Sequence, residues 1–410
     1  MKIKKSIQKA MEKFQVKELR KTQIKPINDI LDDQDIFVVA PTSSGKSLIY
    51  QLPASMQKDK LTLVLEPTLA LMHDQVRKLV NLGISAAYLD STLSKKEIEH
   101  TLHAVRKGKI QILYLTPERL HTKAFQHVIE TQSVYMIVVD ECHCVLEWGD
   151  SFRPDYQQIG EFIKSLPKRP IVAALTATAN PKDRDSIQKS LCMQNVQEHV
   201  FSIDRPNLVL LKENGATFQE KLRRTRHFIR KYRTDGSVIV YCSTRSFTDA
   251  VYNYLNKLYP DQVVRCHAGM KDKTRAQHES AFLNDEKKIM VATTAFGMGV
   301  DKGNIELIIH FDLPLSIGAY YQQAGRAGRD GRMAHCVLLY HIEQDVAIGK
   351  ALAKEKKQTQ RKQMLKRLDA MADLALDNNH CTMQQVLAYF GEEKEKTCKH
   401  CTNCQRNRRK

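Results

Sequence analysis

The chain has 410 residues, 42% of them hydrophobic, which is enough for two or three packed domains. Lys and Arg outnumber Asp and Glu by 64 to 46, a formal charge of +18 that favours a polyanionic partner. No apolar run approaches the roughly 18 residues of a membrane span and the start, MKIKKSIQKAMEKF, has no signal-peptide core, so a cytoplasmic protein with no membrane partner is expected.

Ile3, Ile7, Met11 and Phe14 fall on one helical face and predict a leading helix packed on the first domain, with contact to lipid as the alternative. Asp35 to Ala40 (DIFVVA) is a strand that runs into PTSSGKS, followed by a helix beginning near Ser47. Counted from Ala40 this is the Walker A spacing with alanine in place of the first glycine. Small residues let backbone N–H groups face phosphate oxygens, Lys46 brings charge to the β- and γ-phosphates, and the Ser47 hydroxyl reaches magnesium. Thr42, Ser43, Ser44, Gly45, Lys46 and Ser47 are therefore the nucleotide-binding candidates. Leu61 to Glu66 is the next strand, with a helix from Leu69. Ile110 to Leu115 is another, ending in TPERL, where Thr116 and Arg119 are candidate contacts to a phosphate backbone.

Val134 to Val139 (VYMIVV) reads as a buried parallel strand that ends on Asp140 and Glu141. Carboxylates at a strand's carboxyl end suit a metal-nucleotide site, with Asp140 holding magnesium and Glu141 orienting or deprotonating the attacking water. Trp148, the single tryptophan, then Phe152, Arg153 and Tyr156 form an aromatic loop with a cation, able to stack on unpaired bases. The plainer alternative is a solvated acidic pair and a loop pinned by ordinary aromatics. Ile171 to Leu175 is a further strand, running into Thr176 and Thr178.

From about Phe218 short apolar strands alternate with helical segments again: Val238 to Tyr241, Val263 to Cys266, Ile289 to Ala292, Leu307 to Phe311 and Val337 to Tyr340. That pattern predicts a second α/β unit with a parallel sheet. It has no Walker A loop, but Gln322, Arg326 and Arg329 stand in Q-x-x-G-R-x-G-R, where two guanidiniums can meet charge on a transferring phosphoryl group. Leu365, Leu368, Met371 and Leu374 keep helical spacing in a closing helical segment. Cys381, Cys398, Cys401 and Cys404 form C-x16-C-x2-C-x2-C, which closes a tetrahedral, structural zinc site. His400 in place of one thiol, or a disulfide pair, are the alternatives. The other six cysteines are scattered and read as reduced thiols.

The stretch VVDECHCVLEWGDSFRPDY, from Val138 to Tyr156, resembles motif II and the aromatic-rich loop of RecQ-type helicases of superfamily 2. The resemblance runs along nearly the whole chain. PTLALMHDQV is similar to motif Ia, Thr176-Ala-Thr178 to motif III, CSTR and HAGM to motif IV and the segment after it, TTAFGMGVDKGNI to motif V and SIGAYYQQAGRAGRDG to motif VI. Leu19, Arg20 and Gln23 match the family's adenine-reading motif, DRPNL from Asp204 its linker, and AYFGE with the four cysteines its zinc subdomain. Ser43 and Ser44 stand where the family usually has glycine, Gly303 where it commonly has proline, and Asp150-Ser151 where it commonly has His-Asp.

The resemblance implies two RecA-like parallel-sheet domains, 1–203 and 204–345, followed by a small helical zinc-binding subdomain, 346–410. It implies ATP, magnesium and zinc as cofactors and single-stranded and partly duplex DNA as partner, with a monomer expected. Asp301 becomes a relay to the nucleotide, Arg326 and Arg329 arginine fingers, and His143 with the loop containing Trp148, Phe152 and Arg153 the group that reports DNA to the active site. The activity implied is ATP-driven 3′ to 5′ movement on DNA with duplex unwinding, in repair or recombination. A strand-annealing protein with a vestigial ATPase and an RNA helicase are the alternatives. Lys410 follows Cys404 by only six residues, so the winged-helix and HRDC domains of many relatives are expected to be missing.

Overall fold

The computed structural model describes residues 5–41, 44–147, 154–215, 217–294, 296–297, 302–354 and 358–408. They fall into two compact units, Met1–Ile203 and Asp204–Lys410.

The first unit is built on strands β1 (Ile36–Val39), β2 (Leu61–Leu65), β3 (Ala86–Leu89), β4 (Ile112–Leu115), β5 (Val134–Val139), β6 (Ile171–Thr176) and β7 (Gln197–Val200). They pair in the order β3-β4-β2-β5-β6-β1-β7, every described pairing parallel. β1, β2, β4, β5 and β6 are buried along their whole length, as strands covered on both faces must be, which explains their nearly continuous apolar runs. Helices α1 (Lys5–Lys13), α2 (Lys21–Leu31), α3 (Lys46–Met56) and α4 (Leu69–Asn81) belong to this unit. Ile7 and Met11 of α1 lie in one apolar cluster with Ile27 of α2 and Leu52 of α3, so the leading helix is a packed one.

Asp35, read as the first residue of a strand, instead ties the sheet together from below β1. Its carboxylate is buried, pairs with the Arg169 guanidinium, and accepts the backbone N–H groups of Val172 (2.9 Å) and Gln194 (2.7 Å). A buried charge is tolerated only where it is paired and hydrogen-bonded in this way.

The second unit holds β8 (Leu208–Asn214), β9 (Ser237–Tyr241), β10 (Val263–Cys266), β11 (Ile289–Ala292), β12 (Ile305–His310) and β13 (Ala334–Tyr340), in the order β10-β11-β9-β12-β13-β8, again parallel. The connector expected at Asp204 to Leu208 leads straight into β8, a strand absent from the sequence reading. Helices Ile342–Lys354 and Gln358–Leu376 follow β13 in the same unit, with Leu368, Met371 and Leu374 buried. Lys212 of β8 fastens this region to the sheet: its ammonium donates to the carbonyls of Leu374 (2.8 Å) and Asp377, and burial lowers its pKa to about 8. No described helix is long and apolar enough to cross a membrane.

Candidate active site

The carboxyl edge of a parallel sheet is where chain crossovers leave room for a ligand, and the predicted residues of the first unit gather there. The loop after β1 enters α3 through Gly45, whose φ of +78° is left-handed; a Cβ there would lie 2.6 Å from Gln23 Nε2, so only glycine fits. Gln23 is buried. Its Nε2 donates to Gly45 O (3.0 Å), fastening α2 to the loop, and its Oε1 accepts the N–H of Arg20, the N-cap of α2 (2.9 Å), so half of the amide's hydrogen-bonding capacity is used. Lys46 Nζ donates to Ala40 O at 3.1 Å, and Ser47 is half-buried in the first turn of α3. The Ser44 N–H donates to Pro41 O (3.2 Å), while Thr42 and Ser43 lie outside the described residues.

Asp140 continues β5 and is 6% exposed. Tyr50, one turn after Lys46 in α3, donates its hydroxyl to Asp140 Oδ2 (3.3 Å), which brings the lysine-bearing helix and the carboxylate together. Burial and the neighbouring Glu141 push the Asp140 carboxyl up to about 6, with Lys46 opposing. A carboxylate in that position gains from a bound cation, and Asp140 with Ser47 fits magnesium, an oxygen-seeking ion. Glu141 has a φ of +47°, a left-handed conformation costly for a residue with a side chain, and its N–H donates to Asp140 Oδ1 (2.9 Å). His143 Nδ1 lies 3.3 Å from Glu141 Oε2 and 3.0 Å from Thr176 Oγ1. Thr176 Oγ1 in turn meets the carbonyl and N–H of Thr178. His143 thus bridges the ends of β5 and β6.

The expected coupling loop divides. Trp148, Phe152 and Arg153 lie outside the described residues, whereas Tyr156 is completely buried and is a core residue, with no ring face left for a base. Thr116 is likewise buried, and Arg119 donates to the Asp90 carbonyl. Two groups that the sequence reading did not single out complete the surroundings of Asp140. Tyr114 stands 3.4 Å from Tyr50, hydroxyl to hydroxyl, and accepts from Gln51 (2.8 Å). Glu66, at the end of β2, is buried; its carboxyl is held well above the usual range by burial and by the charges of Asp140 and Glu141.

In the second unit the helix Ile317–Ala324, capped by Ser316 accepting the Ala319 N–H (3.0 Å), carries Gln322 half-buried and leads to Arg326, 5% exposed, and half-buried Arg329. Gly297 lies against Arg326, where a Cβ would come within 2.6 Å of its Cζ. The loop is held by residues that the sequence reading assigned to a linker. Arg205 donates to the carbonyls of Gly325 (3.2 Å), Ala327 (3.0 Å) and Gly328 (2.8 Å), and Asn207 Nδ2 donates to those of Gly328 and Arg332, both at 2.8 Å. The only sequence signal was an arginine and an asparagine in a short connector, in a chain that also carries a glycine-rich loop whose carbonyls need donors. Asp301 lies outside the described residues.

The four clustered cysteines converge. The sulfurs of Cys381, Cys398, Cys401 and Cys404 all lie within 4.8 Å of one another, with Cys398 and Cys404 at 3.9 Å. Tetrahedral zinc with bonds of about 2.3 Å sets sulfurs about 3.8 Å apart, so the set fits. Backbone N–H groups of Thr382, Cys398 and Cys401 point at Cys401, Cys381 and Cys398 sulfurs at 3.3–3.4 Å, which favours thiolates. His400 is no ligand, since its Nε2 meets Leu208 O (3.1 Å), and all ten cysteines are free of disulfides.

Residues 20–187 match the DEAD/DEAH box helicase family, 220–331 the helicase conserved C-terminal domain, and 342–405 the RecQ zinc-binding domain. The chain is 38% identical over 372 residues to the ATP-dependent DNA helicase RecQ of Bacillus subtilis, covering 90% of this chain and 62% of that one. It is 36% identical over 391 residues to the RecQ of Haemophilus influenzae, covering 95% and 62%. In fold it is similar to Saccharomyces cerevisiae Dbp5 bound to RNA and ADP BeF3, with a TM-score of 0.68, 16% identity, and 89% and 98% of the two chains covered. The chain thus spans about three fifths of the length of these bacterial relatives. With two helicase units on parallel sheets and a four-cysteine zinc site behind them, it belongs to the RecQ family of DNA helicases.

Proposed function

We propose that this chain hydrolyses ATP in response to single-stranded DNA and uses the cycle to move 3′ to 5′ and separate partly duplex DNA, in repair or recombination. The observation that carries the proposal is the Tyr50 bond to Asp140, which sets the Lys46 helix and the β5 carboxylates at one strand edge. Backbone N–H groups from Thr42 to Gly45 and the Lys46 ammonium take the phosphates, and the spare N–H and lone pair of Gln23 read the adenine edge. Ser47 and Asp140 hold magnesium, which when bound neutralises phosphate charge. Glu141 orients the attacking water, and the His143 bridge to Thr176 fixes where that carboxylate points. Gln322, Arg326 and Arg329 stabilise charge on the transferring phosphoryl group, with Asp301 as a relay. Trp148, Phe152 and Arg153 stack on unpaired bases and signal through His143. Cys381, Cys398, Cys401 and Cys404 hold a zinc whose four protein ligands leave no open position for chemistry.

Strand separation on 3′-tailed, 5′-tailed and blunt duplexes, with and without ATP, tests the proposal. Opening of the 3′-tailed substrate only, and only with ATP, is expected. Preference for the 5′ tail would reverse the direction, and opening without ATP would remove the motor.

A further inference from the structure

A third carboxylate stands beside Asp140. β2 and β5 are parallel with Leu65 opposite Val139, and the ladder runs one step further: the Glu66 N–H donates to Leu115 O (3.2 Å) and the Asp140 N–H to Leu65 O (3.1 Å). Glu66 and Asp140 are therefore neighbours on adjacent strand ends. Two residues earlier, Val64 and Val138 both belong to the apolar cluster that contains Tyr50 and Tyr114. Side chains repeat every two residues along a strand, so Glu66 and Asp140 share that face, the one covered by α3.

Glu66 is 1% exposed. Its Oε1 accepts only long bonds from the Thr68 N–H and hydroxyl, both 3.4 Å, and its Oε2 is buried with no hydrogen-bond partner among the described residues. A buried carboxylate left this way is strongly disfavoured unless a cation approaches it. Glu66, Asp140 and Glu141 bring three acidic groups to one strand edge, faced by the Lys46 ammonium at the start of α3 and by His143, 3.3 Å from Glu141. A divalent cation at that edge would give the unpartnered Glu66 oxygen a charge to face.

We propose that Glu66 is a third acidic group of the divalent-cation site, giving this chain a tighter hold on magnesium or manganese than Ser47 and Asp140 provide alone. It rests on the nucleotide-site assignment made under Proposed function. A carboxylate opposite a divalent ion across several ångströms of partly hydrated protein contributes on the order of tenfold in affinity.

The test is manganese titration of the full chain with excess ADP, followed by electron paramagnetic resonance of the free ion. Glu66→Gln is isosteric, and the smaller Glu66→Ser stands in should that variant not fold. Both are expected to bind manganese about tenfold more weakly than the intact chain, with metal-free Glu66→Gln melting no lower than the metal-free intact chain. Equal manganese affinity in intact and Glu66→Gln protein overturns the role of Glu66, whatever the variant's melting temperature. An intact chain that takes up no manganese with ADP overturns the nucleotide-site assignment, and this inference falls with it.

Discussion

Removing the Arg205 guanidinium should cost the protein its ATP turnover while leaving both sheets folded. The three carbonyls that Arg205 holds, of Gly325, Ala327 and Gly328, belong to buried residues in the loop that presents Arg326 and Arg329. At about 1.5 kcal/mol for each hydrogen bond from a charged donor, the lower end of the usual range, Arg205→Ala loses about 4.5 kcal/mol of loop-holding interaction. Asn207 keeps the Gly328 and Arg332 carbonyls, so the loop is loosened and not released. Misplacing a transition-state arginine by even about 1 Å costs on the order of 100-fold, so kcat for ATP should fall at least tenfold with a smaller change in KM. Arg205→Lys restores charge but has a single ammonium for carbonyls spread over four residues, and should recover only part of the rate. Steady-state ATPase with single-stranded DNA, set beside circular dichroism of the same preparations, measures both. Unchanged turnover in Arg205→Ala would refute the reasoning, as would global unfolding in both variants.

Three further outcomes are expected. Cys401→Ser should strip zinc, read by elemental analysis, and release the closing helices into faster hydrogen exchange, because metal binding and local folding are one equilibrium; full zinc content in the variant would contradict this. Asp345→Ala leaves Lys221 buried without the carboxylate that meets it at 3.0 and 3.1 Å, and frees the Leu313 and His341 N–H groups. It should destabilise the second unit by about 3–5 kcal/mol in denaturant unfolding, whereas a loss below about 1 kcal/mol would show the pair to be weakly coupled. His143→Ala breaks the bridge between Glu141 and Thr176 and should reduce DNA-stimulated turnover much more than ATP binding, measured with a fluorescent nucleotide; equal loss of both would make His143 a structural residue.

Much of this molecule can be read from its residues, and the exceptions share causes. The buried strands of both sheets are apolar runs such as Ile137 to Val139, and their ends are marked by charged or small residues, so Lys46, Asp140 and the clustered cysteines stand out. β3, β7 and β8 do not. β3 and β7 are edge strands with partly exposed residues, Ala87 and Tyr88 in one and Gln197 and Glu198 in the other, so no unbroken apolar run marks them. Among the described residues β8, which follows a connector, pairs only with β13, more than a hundred residues later, a partner invisible to local periodicity. Tyr156 falls with the aromatic loop in sequence, and composition cannot tell a ring that faces a ligand from one that fills the core. Gln23, Arg205 and Asn207 act on backbone carbonyls, which every residue carries, so nothing in the sequence marks their partners. Glu66 looked like the end of a strand until register set it beside Asp140.

The most direct test of DNA-driven ATP hydrolysis is turnover of the full chain with single-stranded DNA, with single-stranded RNA and with neither, at one salt concentration, beside Lys46→Ala. DNA is expected to raise turnover well above the other two conditions, and Lys46→Ala to abolish it in all three. RNA stimulating as strongly as DNA, or a rate that no nucleic acid moves, would contradict it.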